Sequence, residues 1–315
     1  MINLELRSAL LTNLADLSPG DSIAVGLSGG ADSVALLKAA VHVGNELTLK
    51  VHAVIIDHQL QENSSEVAKN TAQLATQLGA AEVDVIAVDV ATGPGSGGIE
   101  AAARNARRQA FENYANKKSI VAVLLGHTLD DQAETVLLGL ARGSGAKSLA
   151  GMRSIDGIYR RPFLSLTRQL VRSTVTDLST YEDPHNSDPS FARVRVRNEV
   201  LPVLEKELGP GIAQALARTA QMLREDSEAL DSYAQMIVAA GDVGISTLEV
   251  LPGAVRTRVI RQLAIESGVL VNDLTREHVL KIDQLITNWK GQGPLNLPGQ
   301  VNVKRESGKL IFYKP

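Results

Sequence analysis

Four short, nearly unbroken apolar runs punctuate the first half of the chain, at residues 23–27, 51–56, 83–88 and 120–125. Between them lie longer stretches, at 34–43, 65–78 and 99–117, that suit helices. Continuous apolar strands separated by helices predict an α/β fold: a doubly wound parallel sheet covered on both faces. Ligands of such sheets bind beyond the carboxyl ends of the strands. Polar clusters fall at three of those ends: residues 28–33, Asp57-His58 and residues 126–134. Past residue 210 the pattern changes. Ile212, Leu216, Thr219, Met222, Leu223, Leu230, Tyr233 and Ile237 mark one long amphipathic helix over 212–240. Residues 254–266 and 276–288 read as two more helices, and 294–313 alternates around a Ser-Gly turn, which predicts a hairpin. The expected domains are 1–205, the doubly wound layer, and 210–315, smaller and mainly helical.

Composition narrows the class. The chain has 315 residues, 44% of them hydrophobic, and a net charge of −3, so a nucleic-acid surface has to be a local basic patch. No apolar run approaches the roughly 20 residues of a membrane span, and no export signal is evident, so a cytoplasmic protein away from membranes is expected. With no cysteine at all, disulfides and cysteine-ligated metals are excluded.

The first polar cluster carries the sharpest chemistry. A strand runs into Ser28-Gly29-Gly30-Ala31-Asp32-Ser33, and an apolar helix starts near Asp32. Glycines at such a turn let the backbone approach a bound group, and the following helix offers free N–H groups suited to a phosphate. Ser28 and Ser33 add hydroxyls. Asp32 would repel a bare phosphate, and Mg²⁺ between the two resolves the conflict. The segment therefore implies a nucleoside triphosphate with Mg²⁺ on Asp32. The chain has neither a Walker A string nor a G-x-G-x-x-G in a βαβ context. The string resembles the pyrophosphatase loop (PP-loop) of the N-type ATP pyrophosphatases, Rossmann-like enzymes that cleave ATP between its α and β phosphates and adenylate a substrate.

The other clusters add ionisable groups. In Gly126-His127-Thr128-Leu129-Asp130-Asp131-Gln132-Ala133-Glu134, Thr128 and Asp131 fit a capping box. His127, Asp131 and Glu134 share one helix face, which suggests a metal or amine site. On the helix over 99–117, Glu100, Arg104, Arg107 and Arg108 form one charged stripe; Arg108 suits a solvated face, while Arg104 and Arg107 suit function. Arg160, Arg161 and Arg168 flank an apolar strand-like piece. Arg193, Arg195 and Arg197 follow a proline-broken segment with Asp183, His185, Asn186 and Asp188. These arginines make a credible phosphate-binding surface. Arg256, Arg258 and Arg261 suit RNA or a solvated face equally.

The first loop, residues 126–135, the Arg-Arg-Pro-Phe-Leu-Ser-Leu-Thr-Arg run at 160–168 and residues 181–197 together resemble the tRNA(Ile)-lysidine synthetases. The resemblance implies ATP-dependent joining of free lysine to C2 of the wobble cytidine in the CAU anticodon of tRNA(Ile). Adenylation of the C2 oxygen releases pyrophosphate, and the lysine amine then displaces AMP. It implies Ser28 to Ser33, Asp57, His58 and Gly126 at ATP, and Arg107, Asp131 and Glu134 at lysine. Asp32, Arg107, His127, Asp131 and Glu134 form the catalytic set, with Arg160, Arg161, Arg168, Arg193, Arg195 and Arg197 at tRNA. It further implies a helical tRNA-holding second domain and a homodimer. The family commonly has Gly and Arg in place of Gln59 and Gln61, and Arg-Asn in place of Ala192-Arg193. A PP-loop tRNA thiolase is the runner-up enzyme, disfavoured because sulfur transfer uses cysteines. Amide-forming relatives need a glutaminase cysteine or a partner that supplies ammonia. A non-catalytic tRNA-binding module is the third reading.

Overall fold

A computed structural model of the chain describes residues 2–59, 63–90, 99–143 and 145–314. The glycine-rich loop expected at 92–98, Gln61 and the Glu100 side chain lie outside the described residues.

The chain divides into two compact units, Met1–Gln221 and Met222–Pro315. The first opens with α1 (Leu4–Asn13), which the apolar pattern did not single out; Asn3 caps it by accepting from the Glu5 and Leu6 amides. Then β1 (Ser22–Gly26), α2 (Ala31–Leu47), β2 (Lys50–Asp57), α3 (Ser64–Gln77), β3 (Glu82–Ala87), α4 (Ile99–Lys118) and β4 (Ile120–Leu124) alternate as the apolar runs predict. There follow α5 (Leu129–Ala141), α6 (Ala146–Leu149), β5 (Ile155–Asp156), β6 (Tyr159–Arg160), α7 (Arg168–Ser173) and α8 (Ala192–Arg195). A π turn at Val196–Val200 leads into α9 (Leu201–Leu208).

The sheet order is β3-β2-β1-β4-β6-β5, parallel except for β5 against β6. Side chains alternate faces along β1. Ile23 and Val25 join a core with α1, α2 and α7, whereas Ala24 joins Phe111, Tyr114 and Val123 under α4. Strand order reverses between β1 and β4, so the crevice of a doubly wound sheet opens where Ser28 and Gly126 emerge.

The second unit holds α11 (Ile245–Val250), α12 (Gly253–Glu266), α13 (Arg276–Thr287) and a sheet of β7 (Leu295–Leu297), β8 (Val301–Glu306) and β9 (Lys309–Tyr313); α10 (Ile212–Ala239) spans the division. Leu248, Val259, Ile260, Ile282, Leu285, Val301 and Val303 form its core.

Two local expectations change. Residues 294–313 contain the expected hairpin, β8 and β9 about Ser307-Gly308, and extend it to a three-stranded meander, because Gly299 and Gln300, both with positive φ, turn β7 into β8. Residues 160–168 are not an extended piece. β6 ends at Arg160, and Thr167 caps α7 through the Leu170 amide at 3.3 Å.

Candidate functional site

The loop after β1 is built on its own hydroxyls. Ser33 Oγ donates to the Gly30 carbonyl at 2.8 Å, and the Ser28 amide donates to Ser33 Oγ at 3.2 Å. Gly29 has φ +83°, and a Cβ there would lie 2.6 Å from Thr71 Oγ1. The Gly29 carbonyl accepts from the Tyr181 amide at 2.9 Å, which ties the loop to the segment before α8. Helix α2 then starts at Ala31 with Gly30 as N-cap and no side chain capping it. A Cβ on Gly126 would lie 3.0 Å from the Asp32 carbonyl, so any other residue there would push the start of α2 away by a few tenths of an ångström.

A cavity of about 300 Å³ opens beside this loop. Ser28, Asp57, His58 and Arg107 line it, over an apolar floor that includes Val54, Ile56 and Phe111. Tyr181, Asp183 and His185 close one side. Asp57 is buried and accepts the Gln59 amide at 2.9 Å. Gln59 itself has φ +52°, which explains why a glycine suits that position. Burial, reinforced by Arg107, lowers the pKa of His58. Arg107 reaches water within a concave wall, where burial and Arg104 pull its pKa below the usual guanidinium value. The loop, Asp57 and His58 are therefore brought together as their places at the strand ends predict, and Arg107 from α4 joins them.

Asp131 and Glu134 on α5 form a second cluster with His127, which precedes the Thr128 N-cap and so does not share their helix face as expected. The capping box forms: Asp131 Oδ2 accepts from the Thr128 amide at 2.8 Å and its hydroxyl at 2.9 Å. Burial raises the Asp131 pKa, but Arg168 and the Thr128 bonds outweigh it, and the net shift is downward. His127 falls to about 4, chiefly through burial, with Arg161, Arg107 and Arg193 adding to the effect against Asp131. Its Nδ1 is buried and has no hydrogen-bond partner among the described residues.

The arginines account for most of what sequence patterns could not show. Glu134 is 0% exposed. Its carboxylate takes Arg197 through Nε at 2.7 Å and Nη2 at 3.0 Å, Arg168 Nη2 at 3.1 Å and Arg193 Nε at 3.3 Å. Arg168 Nη2 also donates to Asp131 Oδ1 at 2.8 Å, while its backbone amide donates to Asp130 at 2.7 Å. Burial lowers the Arg168 pKa, but Asp131, Glu134, Asp130 and Asp32 more than reverse it. Pro202, near the start of α9, has no N–H to continue the helical ladder. The π turn carrying Arg197 precedes it. Arg168, Arg193 and Arg197 thus face inward onto acids instead of forming a solvent-facing row.

The other expected phosphate contacts are placed differently again. Arg160 is buried and holds Asp16 at 2.6 and 2.8 Å, which lowers the Asp16 pKa to about 2. Arg195 Nη1 is spent on the Pro189 and Ser190 carbonyls at 2.6 and 2.9 Å. Arg161 donates to the Arg153 carbonyl at 2.9 Å. Arg108 pairs with Glu112 at 3.0 Å on an exposed face, as expected. In the second unit, Arg256 pairs with Asp283, Arg258 with Asp231, and Arg261 binds the Leu274 carbonyl, so all three serve internal packing.

Arg172 is the residue that sequence reasoning missed. Its Nε and Nη2 donate to the two Asp32 oxygens at 3.0 Å each. The available signal was its spacing, four residues after Arg168 on one helix face. Asp32 is a single carboxylate beside the phosphate loop. No group of three His, Asp or Glu able to hold a metal occurs among the described residues. Such a donor set suits Mg²⁺, which takes one or two carboxylates and completes its shell with phosphate oxygens and water. No helix among the described residues is long and apolar enough to cross a membrane.

Comparison with known proteins adds an independent line. Residues 4–204 match the family described as PP-loop domain, and residues 245–311 match the TilS substrate binding domain. The chain is 47% identical to the tRNA(Ile)-lysidine synthase of Thermobifida fusca, with 97% of this chain and 96% of that protein covered. It is 50% identical to the tRNA(Ile)-lysidine synthase of Leifsonia xyli subsp. xyli, with 94% and 91% covered. Among solved structures, the U34-tRNA thiolase NcsA from Methanococcus maripaludis with its [4Fe-4S] cluster aligns at TM-score 0.56 and 18% identity, covering 70% of this chain and 79% of that one. That likeness concerns the fold alone.

Proposed function

The chain belongs to the tRNA(Ile)-lysidine synthase family, and on that premise we propose that it joins lysine to C2 of the wobble cytidine in the CAU anticodon of tRNA(Ile). It is a ligase that uses ATP, and it works in the cytoplasm with its tRNA. One observation carries the site assignment. The loop with Asp32 and the helix with Asp131 and Glu134 meet at the switch point of the sheet, bridged by Arg168, which lies within 3.8 Å of Asp32 and within 3.1 Å of both other acids.

In the first step the cytidine O2 attacks the α-phosphorus of ATP, the α–β bridging P–O bond breaks, and pyrophosphate leaves with the electron pair. The free N–H groups at the start of α2 and the Ser28 hydroxyl would face the phosphates, while the Ser33 hydroxyl holds the loop from within. Asp57 and His58 line the cavity that receives the nucleoside, with His58 held neutral. Asp32 would hold Mg²⁺, which supplies charge neutralisation for the departing pyrophosphate. Arg107, protonated despite its surroundings, steadies an anionic group at the cavity wall: the α-phosphate or the lysine carboxylate.

In the second step the lysine ε-amine attacks C2, the C2–O2 bond breaks, and AMP leaves carrying that oxygen. Lysine's ammonium must first be held and one proton removed. Without substrate, guanidinium groups hold the places an ammonium would take at Asp131 and Glu134. Lysine reaches these acids by displacing Arg193, the most exposed of the three arginines at 31% and the one with the longest contact to Glu134. Arg193 is then free for a tRNA phosphate. His127 beside Asp131, neutral and with Nδ1 unbonded among the described residues, would take the proton as it leaves. The matched substrate-binding region in the second unit supports tRNA holding there.

The test is incubation with ATP, Mg²⁺, labelled lysine and a CAU-anticodon isoleucine tRNA. Lysine should enter the tRNA with one AMP and one pyrophosphate released. Pyrophosphate without label in the tRNA would refute the substrate assignment. A thiolase reading gains nothing from the structural likeness, because this chain has no cysteine to carry sulfur.

A further inference from the structure

The pyrophosphate released in adenylation carries several negative charges, yet residues 28–37 contain neither Lys nor Arg. The first cation of α2, Lys38, is turned away: its Nζ donates to the Thr174 carbonyl at 2.9 Å and meets Asp177 at 3.4 Å. The countercharge has to come from another element, and α7 supplies it. Arg168 and Arg172 lie one turn apart on the same face of α7, and both reach Asp32.

The two arginines are not equivalent. Arg168 is only 12% exposed and is committed to Asp131 and Glu134. Arg172 is 47% exposed, and its contacts with Asp32 use Nε and Nη2. Nη1 makes neither of these two bonds, and a guanidinium offers five donors in a fixed fork. Its position is set from behind, since the Lys38–Thr174 bond pins the C-terminal cap of α7 to α2. A fork of donors therefore stands at the edge of the phosphate loop, and its resting partner is the one acid of that loop.

We propose that Arg172 is a leaving-group residue: it rests on Asp32 in the free enzyme and transfers to the β- and γ-phosphoryl oxygens when ATP binds. The exchange has two consequences. It frees the Asp32 carboxylate for a cation, and it places a bidentate donor on the oxygens where charge accumulates as the α–β bond breaks. Arg168 remains on Asp131 and Glu134 and keeps α7 in register throughout. The inference rests on the ATP-splitting reaction proposed above.

The probe is inorganic pyrophosphate, measured by titration calorimetry in EDTA, without lysine or tRNA. Arg172→Ala should weaken pyrophosphate binding at least tenfold, leave AMP binding unchanged and keep the far-ultraviolet circular dichroism of the parent. Arg172→Lys, a point charge at the same place, should recover part of the loss. Asp32→Asn should bind pyrophosphate more tightly than the parent, because it releases Arg172 and removes a repelling charge. The double variant Asp32→Asn/Arg172→Ala separates contact from neutralisation: it should regain over Arg172→Ala only what the lost repulsion gives, and stay well below the parent and Asp32→Asn. Recovery of parent affinity in the double variant would mean that Arg172 merely neutralises Asp32, and the proposal would fall. Unchanged binding in Arg172→Ala would overturn it directly. In a parent enzyme that makes lysidine, either result leaves the proposed function standing. A parent that makes no lysidine but binds pyrophosphate through Arg172 would overturn the proposed function alone.

Discussion

Glu134→Ala tests whether the acids of α5 organise the arginines around them. Glu134 has no exposed surface, and its two oxygens meet three guanidinium groups between 2.7 and 3.3 Å. Removing one partner of a buried ion pair leaves uncompensated charge and costs about 3–5 kcal/mol. Here Arg193 and Arg197 are 31% and 23% exposed and regain water on release, which puts the loss near the lower end, about 3 kcal/mol. For a folding unit of this size each kcal/mol lowers the melting temperature by about 2–4 °C, so a fall of roughly 6–12 °C is expected. Glu134→Gln keeps the shape and some hydrogen bonds and should fall by less. Differential scanning calorimetry at fixed protein concentration measures both variants. Lysine transfer should drop further than pyrophosphate release in each, since the loop before α2 meets the altered contacts only through Arg168, 3.8 Å from Asp32. A fall below about 2 °C in Glu134→Ala would refute the reasoning and return Glu134 to the status of a free ligand site; equal loss of the two half-reactions would refute the division of roles.

Three further outcomes are expected. Gly29→Ala places a Cβ 2.6 Å from Thr71 Oγ1 at φ +83° and should lose about 2 kcal/mol of stability together with ATP binding, read by thermal melts with and without nucleotide; ATP binding at parent strength would count against the loop as the phosphate site. His127 has a folded pKa near 4 against 6.5 in the open chain, so the unfolded state takes up the proton first and stability falls as pH drops from about 6.5 to about 4, then levels off; His127→Gln should flatten that part of the profile, and an unchanged slope would show that another group is responsible. Arg160→Ala should lower stability by about 1–2 kcal/mol, chiefly by leaving the Asn13 carbonyl without its buried donor, since Asp16 is 64% exposed and regains water, while tRNA affinity in the folded fraction stays at the parent level; a selective loss of tRNA affinity would instead make Arg160 an RNA contact.

Much of the architecture was legible in one dimension. Burial on both faces demands continuous apolar strands, and the doubly wound sheet then follows from their alternation with helices. The turn after β1 was equally readable, because tight turns and helix starts depend on local backbone chemistry: Gly29 at positive φ, Ser33 bonded back to Gly30 and the Thr128–Asp131 capping box are all short-range features. The charged residues behave differently. Arg168, Arg193 and Arg197 share a basic pattern with Arg160 and Arg195, yet three converge on Glu134, one is locked to Asp16 and one caps a turn. Arg172 and Asp32 meet across 140 positions of chain. Periodicity records which face of an element is apolar, but it holds no information about which distant element packs beside its polar face. The choice of partner for each guanidinium is made by packing, when α7 and the helical run from α8 to α9 bring their arginines to the acids of α2 and α5. The sequence alone therefore determined the fold class, the turn after β1 and the family; the tertiary structure alone decided which arginines are committed to acids and which, at Arg172, still has a donor to offer.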